Sequence, residues 1–173
     1  EQLSPQFRAI NPAGTVPVLE TDSGEYLTEA VAICRYLESI EPEPPLFGTP
    51  GLGESRVLEW NNIVEHEGMR AVAEVLRNLS PGFRDHVFPG PVSYEQLPQL
   101  VERGHKRLLQ FCDRVETRLS SSPYLAGDAF SFADISLLTT VDFAKWVDVD
   151  ACAGRTGLTD WYGRVAGRPS ARA

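Results

Sequence analysis

The sequence predicts a small α/β unit followed by an all-α domain. Three observations carry that reading. Two short β-prone runs flank an Asp- and Gly-containing turn near the start, a Pro- and Gly-rich stretch follows, and every later periodic segment has helical spacing. The division falls at residues 1–40 for the α/β part, 41–52 for the linker and 53–173 for the helical domain.

Taken in order, the segment Glu1-Gln2-Leu3-Ser4-Pro5 runs into a loop at Asn11-Pro12-Ala13-Gly14, whose Pro and Gly end any preceding helix. Val16-Pro17-Val18-Leu19-Glu20 and Glu25-Tyr26-Leu27, separated by Thr21-Asp22-Ser23-Gly24, read as a β-hairpin. Pro17 cannot donate to a ladder and belongs at the start or edge of its strand. A helix is predicted from Thr28, because Ala30, Val31, Ile33, Cys34, Leu37 and Ile40 recur at three- and four-residue intervals. Thr28 is the expected cap. The run Glu41-Pro42-Glu43-Pro44-Pro45-Leu46-Phe47-Gly48-Thr49-Pro50-Gly51 is too rich in Pro and Gly for regular structure. Helical patterns then occupy 54–78, 93–121, 131–147 and 158–166. A hairpin with one helix is not stable alone, so further strands and a helix are expected ahead of Glu1 in the full protein.

Composition excludes several classes of function. The chain is 42% hydrophobic and carries a formal net charge of −8. No run of Lys or Arg supplies the basic stripe that nucleic acid or an anionic membrane surface requires. No apolar stretch is long enough to span a bilayer, and the start has no signal-peptide pattern. Cys34, Cys112 and Cys152 are odd in number and widely spaced, which argues against a disulfide framework and a zinc site. His86 and His105 lack a third ligand at metal-like spacing, so no metal is expected. The reading is of a cytoplasmic protein with reduced, structural thiols.

The order of elements and the local motifs resemble the cytosolic glutathione transferase family across essentially the whole chain. Asn11-Pro12-Ala13-Gly14-Thr15-Val16-Pro17-Val18-Leu19 is similar to the family's loop into the third strand of its thioredoxin-like domain. There a cis-proline lets the preceding residue present its backbone to the cysteinyl part of glutathione. The resemblance gives those places to Val16 and Pro17, with Thr15 near the glycyl carboxylate. From the tripeptide alone, a trans proline at a strand start is an equally good reading. Thr28-Glu29-Ala30-Val31 resembles the start of the family's third helix, where an acid or amide followed by Ser holds the γ-glutamyl end. Glu29 takes the first place. Ala30 departs from the pattern, leaving only backbone N–H groups for that carboxylate. The commoner meaning of Glu29 is a first-turn acid that favours the helix dipole.

In the helical domain, Ser131-Phe132-Ala133-Asp134 is a capping-box variant with Phe130 and Ile135 placed as a staple. With Tyr124-Leu125-Ala126-Gly127-Asp128 ahead of it, this segment resembles the family's capped central helix, which makes Asp134 a folding residue. Glu65, His66, Glu67 and Arg70 cluster on the first long helix of that domain. The resemblance places His66 and Arg70 at the electrophile pocket, whereas charge on a helix more often marks a solvated face or dimer rim. Trp60, Trp146 and Trp161 read as core, and Cys34 as a buried inert thiol.

The resemblance implies an enzyme that binds glutathione as co-substrate at Thr15, Val16, Pro17, Glu29 and Ala30. It would pass the thiolate to a small-molecule electrophile and act as a homodimer built from the helices near Thr28 and Glu54. The residue that stabilises the thiolate is expected ahead of Glu1 and is not identified. A non-catalytic scaffold for protein association, and a glutathione-dependent isomerase or reductase, are the alternatives. Ala30 gives the scaffold its weight.

Overall fold

The computed structural model describes residues 2, 4–90 and 92–172; Glu1 and Leu3 of the opening segment, Pro91 and Ala173 lie outside these. Helix α1 (Pro5–Ile10) starts with proline in its first position, and Ser4 Oγ accepts from Phe7 N–H at 3.2 Å. Strands β1 (Val18–Glu20) and β2 (Tyr26–Thr28) pair antiparallel in the register Val18↔Thr28, Leu19↔Leu27 and Glu20↔Tyr26. Gly24 closes the turn at φ 80°. Helix α2 (Ala30–Ile40) follows at once. Thr28 does not cap it, contrary to expectation, because it is the terminal ladder residue opposite Val18. Glu29 occupies the cap position instead, and its side chain makes no capping bond.

Residues 41–51 have no regular structure but are firmly held. Phe47 is 1% exposed and stacks on Phe132 with ring centroids 4.7 Å apart. Its N–H donates to the Glu38 carboxylate at 3.0 Å, and Phe132 N–H donates to Leu46 C=O at 2.8 Å. These bonds tie α2 to the helical part through one buried aromatic side chain.

Helices α3 (Leu52–Ile63) and α4 (Arg70–Leu79) form one continuous rod through a π-helical turn at Val64–Met69. Helix α5 (Pro98–Leu119) begins later than the expected 93, with Pro98 in its first position. The preceding residues serve α4: Gln96 Nε2 donates to Arg77 and Ser80 C=O, and Leu97 N–H donates to Asn78 Oδ1. Those bonds hold the segment extended and prevent it from joining the helix. Gly104 lets α4 and α5 approach, since a Cβ there would lie 2.7 Å from Val75 Cγ2.

Helix α6 (Phe132–Ala144) sits at the centre and continues as a 3-10 turn over Lys145–Val147. Helix α7 (Thr156–Ala166) closes the bundle, its Gly157 and Leu158 N–H groups donating to the Glu116 carboxylate at 3.1 and 2.8 Å. The core between α4, α5, α6 and α7 includes Val72, Leu108, Phe111, Leu137, Leu158 and Trp161. Asp134 is fully buried and accepts from Ser131 N–H (3.0 Å), Ser131 Oγ (2.8 Å), Leu125 N–H (3.1 Å) and Trp161 Nε1 (2.9 Å). The expected capping box is present and reaches two further segments. Phe130 packs edge-on to Tyr124 and beneath Arg168, while Ile135 is 37% exposed.

Trp161 and the half-buried Trp60 join the core, but Trp146 is 65% exposed. The change from α to 3-10 pitch after Ala144 turns Val147 inward and leaves Trp146 stacked on Phe143 at the surface. All three cysteines are unpaired, and burial pushes the Cys112 thiol up to about 11. Cys34 is half-buried rather than buried, and desolvation followed by the nearby Glu38 charge raises its pKa. Among the described residues no helix is long and apolar enough to cross a membrane.

Candidate functional site

The open end of the hairpin is built by local rules. Pro17 has no N–H, so the ladder stops at Val18↔Thr28, and Val16-Pro17 and Glu29-Ala30 leave the sheet from the same end. The Val16–Pro17 peptide is cis. Val16 is 61% exposed, and among the described residues its N–H and C=O make no hydrogen bond. Behind it the loop is braced by buried Asn11. Its Nδ2 donates to Thr15 C=O (2.8 Å) and Thr15 Oγ1 (3.0 Å), and its Oδ1 accepts from Ala13 N–H (3.2 Å). The Thr15 hydroxyl is thus already engaged with Asn11.

Facing this loop is the start of α2. Its first-turn N–H groups have no side-chain cap, as helix N-termini require one or a ligand. Glu29 adopts φ 70° and ψ 121°, a left-handed backbone that costs a non-glycine residue about 1–3 kcal/mol. Glu29 and Ala30 are both exposed. Glu65, in the π-helical turn, lies close enough to Glu29 for the two charges to interact. Burial pushes the Glu65 carboxyl up; the nearby His66 and Arg70 charges pull it down, and Glu29 raises it further. The cap position therefore carries an exposed carboxylate with a second one beside it.

A cavity of about 510 Å³ opens between α4, α5 and the Val87-Phe88 loop. His66 and Arg70 both line it, as do Arg77, Arg103 and Arg107. Glu74 accepts from Arg103 Nε at 2.7 Å and from an Arg107 terminal nitrogen at 2.9 Å. Burial raises the Glu74 carboxyl, but the hydrogen bond and charge of Arg103, then of Arg107, outweigh it and hold it below the ordinary glutamate value. A second cavity, about 320 Å³, is lined by Gly14, Thr15 and Val16 and shares Arg77 and Val87 with the first. The loop at Val16 and the arginine-lined cavity are therefore neighbours.

Residues 1–40 match the family described as "Glutathione S-transferase, N-terminal domain", and residues 98–164 match "Glutathione S-transferase, C-terminal domain". The chain is 32% identical over 173 residues to Glutathione S-transferase 2 of Saccharomyces cerevisiae, covering 99% of this chain and 72% of that protein. The chain belongs to the glutathione transferase family. Gtt2 from Saccharomyces cerevisiae has the same fold, with a TM-score of 0.86 at 32% identity over 99% of this chain and 80% of that one. A sphingomonad glutathione S-transferase complexed with glutathione superposes with a TM-score of 0.76 at 27% identity, covering 95% of this chain and 74% of that one. A probable elongation factor 1-gamma 1 of Arabidopsis thaliana is 30% identical over 132 residues, 76% of this chain and 29% of that protein. The glutathione transferase fold, a thioredoxin-like part followed by a helical domain, is thus the architecture of this chain.

Two groupings expected from sequence coincide with spatial ones: Thr15, Val16 and Pro17 with Glu29 and Ala30, and His66 with Arg70. Sequence reasoning missed Asn11 as the brace of the loop, Glu65 as a neighbour of Glu29, and the three further arginines of the cavity. Asn11 carried a signal, since Asn in a turn commonly bonds its own backbone two residues on. Arg77, Arg103 and Arg107 carried none, because their convergence depends on how α4 meets α5.

Proposed function

We propose that this chain binds glutathione at the open end of the hairpin and transfers its thiolate to a small electrophile held in the adjoining cavity. The observation that carries the reading is the Val16 backbone, without a hydrogen bond among the described residues, at the same end of the hairpin as the uncapped start of α2. An extended peptide can add to Val16 as a further strand would, with Pro17 ending competition from the sheet itself. Its γ-glutamyl carboxylate then meets the N–H groups at Ala30, where the helix dipole favours an anion. The ammonium meets Glu29, with Glu65 adding negative charge nearby. Thr15 sits toward the glycyl end, and His66 and Arg70 face the electrophile.

Calorimetry tests this assignment. Glu29→Gln keeps the side-chain shape and removes the charge, so glutathione binding is expected to weaken by about 1.5–3 kcal/mol, the worth of a charge-assisted bond. Val16→Ala should change little, because Val16 contributes its backbone. Equal effects, or no binding by the parent protein, would count against the site.

The chain acts, on this reading, as a cytoplasmic homodimer. Its three unpaired cysteines suit a reducing compartment. Leu37 and Ile40 on α2, and Leu52 and Leu58 on α3, are exposed on the two helices expected at the subunit interface. Light scattering that finds a monomer at micromolar concentration would remove the dimer. Similarity to an elongation factor 1-gamma, together with Ala30, supports a second reading in which the fold serves protein association without turnover. Absence of glutathione binding would select it.

A further inference from the structure

Positive charge is concentrated in one place on this acidic chain. Four of its 16 Lys and Arg residues line the 510 Å³ cavity, against the single carboxylate of Glu74. That carboxylate is fully engaged by Arg103 and Arg107. Arg107 also donates to His66 C=O at 3.0 Å, which fixes its guanidinium at the cavity wall. Among the described residues, Arg70 and Arg77 have no ion-pair partner. Arg77 instead lies over the Phe88 ring, 5.6 Å from its centroid.

Beside His66 and Asn78, the rest of the lining is apolar: Val87, which is buried, with Phe88, Leu100 and Ala73. Glu65 lies near enough to Arg70 to offset part of its charge; even so, guanidinium groups without an ion pair against such a wall attract anions more strongly than the same groups in open water, because the low-dielectric surface focuses the field. A neutral, purely apolar ligand would fill the wall and leave Arg70 and Arg77 partly desolvated with no acceptor, which is unfavourable. A flat ring bearing a carboxylate satisfies both halves of the cavity. Its ring lies against Phe88 and Leu100, and its oxygens accept from the guanidinium fork.

We infer that the ligand class of this cavity is a small aromatic carboxylate, so that the electrophile handled here is anionic rather than neutral. This inference rests on the proposed transferase reading for the word electrophile, but the binding preference stands without it. Glu74 sets the strength of the site by occupying two of the four cations.

The test uses nitrobenzoate and nitrobenzamide, which share a ring and differ in charge, titrated calorimetrically into the full chain without glutathione. Nitrobenzoate is expected to bind at least about tenfold more tightly. The double substitution Arg70→Gln/Arg77→Gln removes two groups that make no ion pair, so the fold should persist; the preference should fall to about twofold or less. Glu74→Gln releases Arg103 and Arg107 and should raise the preference. Equal binding of the two compounds, no binding of either, or a preference that survives the double substitution would overturn the inference. A parallel assay with glutathione and either chlorodinitrobenzoate or chlorodinitrobenzene separates the two readings. Absence of glutathione binding, with the nitrobenzoate preference intact, sinks the transferase reading and retains the anion site. Equal kcat/KM for both, with no binding preference, retains the transferase and sinks the anion site.

Discussion

Asp134 offers the most direct test of how the helical part is held together. Substitution by alanine strands three buried donors at once: Leu125 N–H, Ser131 N–H and Trp161 Nε1, now 2.9–3.1 Å from its oxygens. A buried donor left unpaired costs about 1–3 kcal/mol, giving a gross loss of about 3–9 kcal/mol. Two effects reduce it. The carboxyl is pushed up by burial, so its removal relieves a desolvated charge, and water can enter the vacated volume. A net destabilisation of about 3–5 kcal/mol is therefore expected for Asp134→Ala. Asp134→Asn keeps one oxygen for Leu125 and Trp161 but turns an NH₂ toward Ser131 N–H, so about 1–3 kcal/mol is expected. Urea denaturation followed by circular dichroism measures both, with an unchanged slope confirming that the same surface unfolds. A loss below about 1 kcal/mol for the alanine variant would refute the view that Asp134 caps α6 and joins it to α7 and to the Leu125 loop.

Two further predictions concern charge. Ala30→Ser adds a hydroxyl at the start of α2 and should tighten glutathione binding by about 0.5–2 kcal/mol, because the added bond reaches a charged acceptor; unchanged affinity in a protein that binds glutathione would mean that residue 30 does not face the ligand. The Glu116 carboxyl is held below its ordinary value of 4.5 chiefly by the Leu158 N–H, with Gly157 N–H and Ser120 adding to it against burial. Its folded pKa is lowered, so its stabilisation is fully present above about 4.5 and is lost as pH falls through the lower folded value. The stability gap between the parent and Glu116→Gln, read as urea midpoints, should therefore be largest near neutrality and shrink well below 4.5; a constant gap would contradict the capping of α7.

Much of this fold was legible because local chemistry and tertiary structure agree. Ser131 and Asp134 specify a helix start whether or not Trp161 is nearby, and Gly24 permits the turn whatever covers the hairpin. Errors arose where a distant partner overrode a local signal. Thr28 looked like a cap but belongs to the ladder with Val18. Residues 93–97 have helical composition, yet Gln96 and Leu97 are recruited to finish α4. Trp146 follows the apolar pattern of α6 until the pitch changes beneath it. At the site, the hairpin end could be read because its residues are adjacent in sequence or paired by register. The cavity could not, since Arg70 and Arg107 meet only through the packing of α4 on α5, which Gly104 permits.

The π-helical turn at Val64–Met69 gives the long helix one residue more than its number of turns requires. In an α-helix each residue rotates the chain by about 100°, so losing one residue from α3 or α4 would swing everything downstream away from its partners. Losing one from Val64–Met69 would instead let the turn relax to ordinary pitch, with Val72 and Val75 still aimed at α5. The chain thus has a slack position in the middle of its most constrained rod. Glu65 and His66 occupy that position, between the Glu29 carboxylate at the hairpin end and the arginines of the cavity. Lengthening or shortening the turn would shift these two side chains and ask only Val64 and Gly68 to repack, with α4 still aimed at α5, so the spacing between the two halves of the site can change in a lineage without the bundle having to be rebuilt.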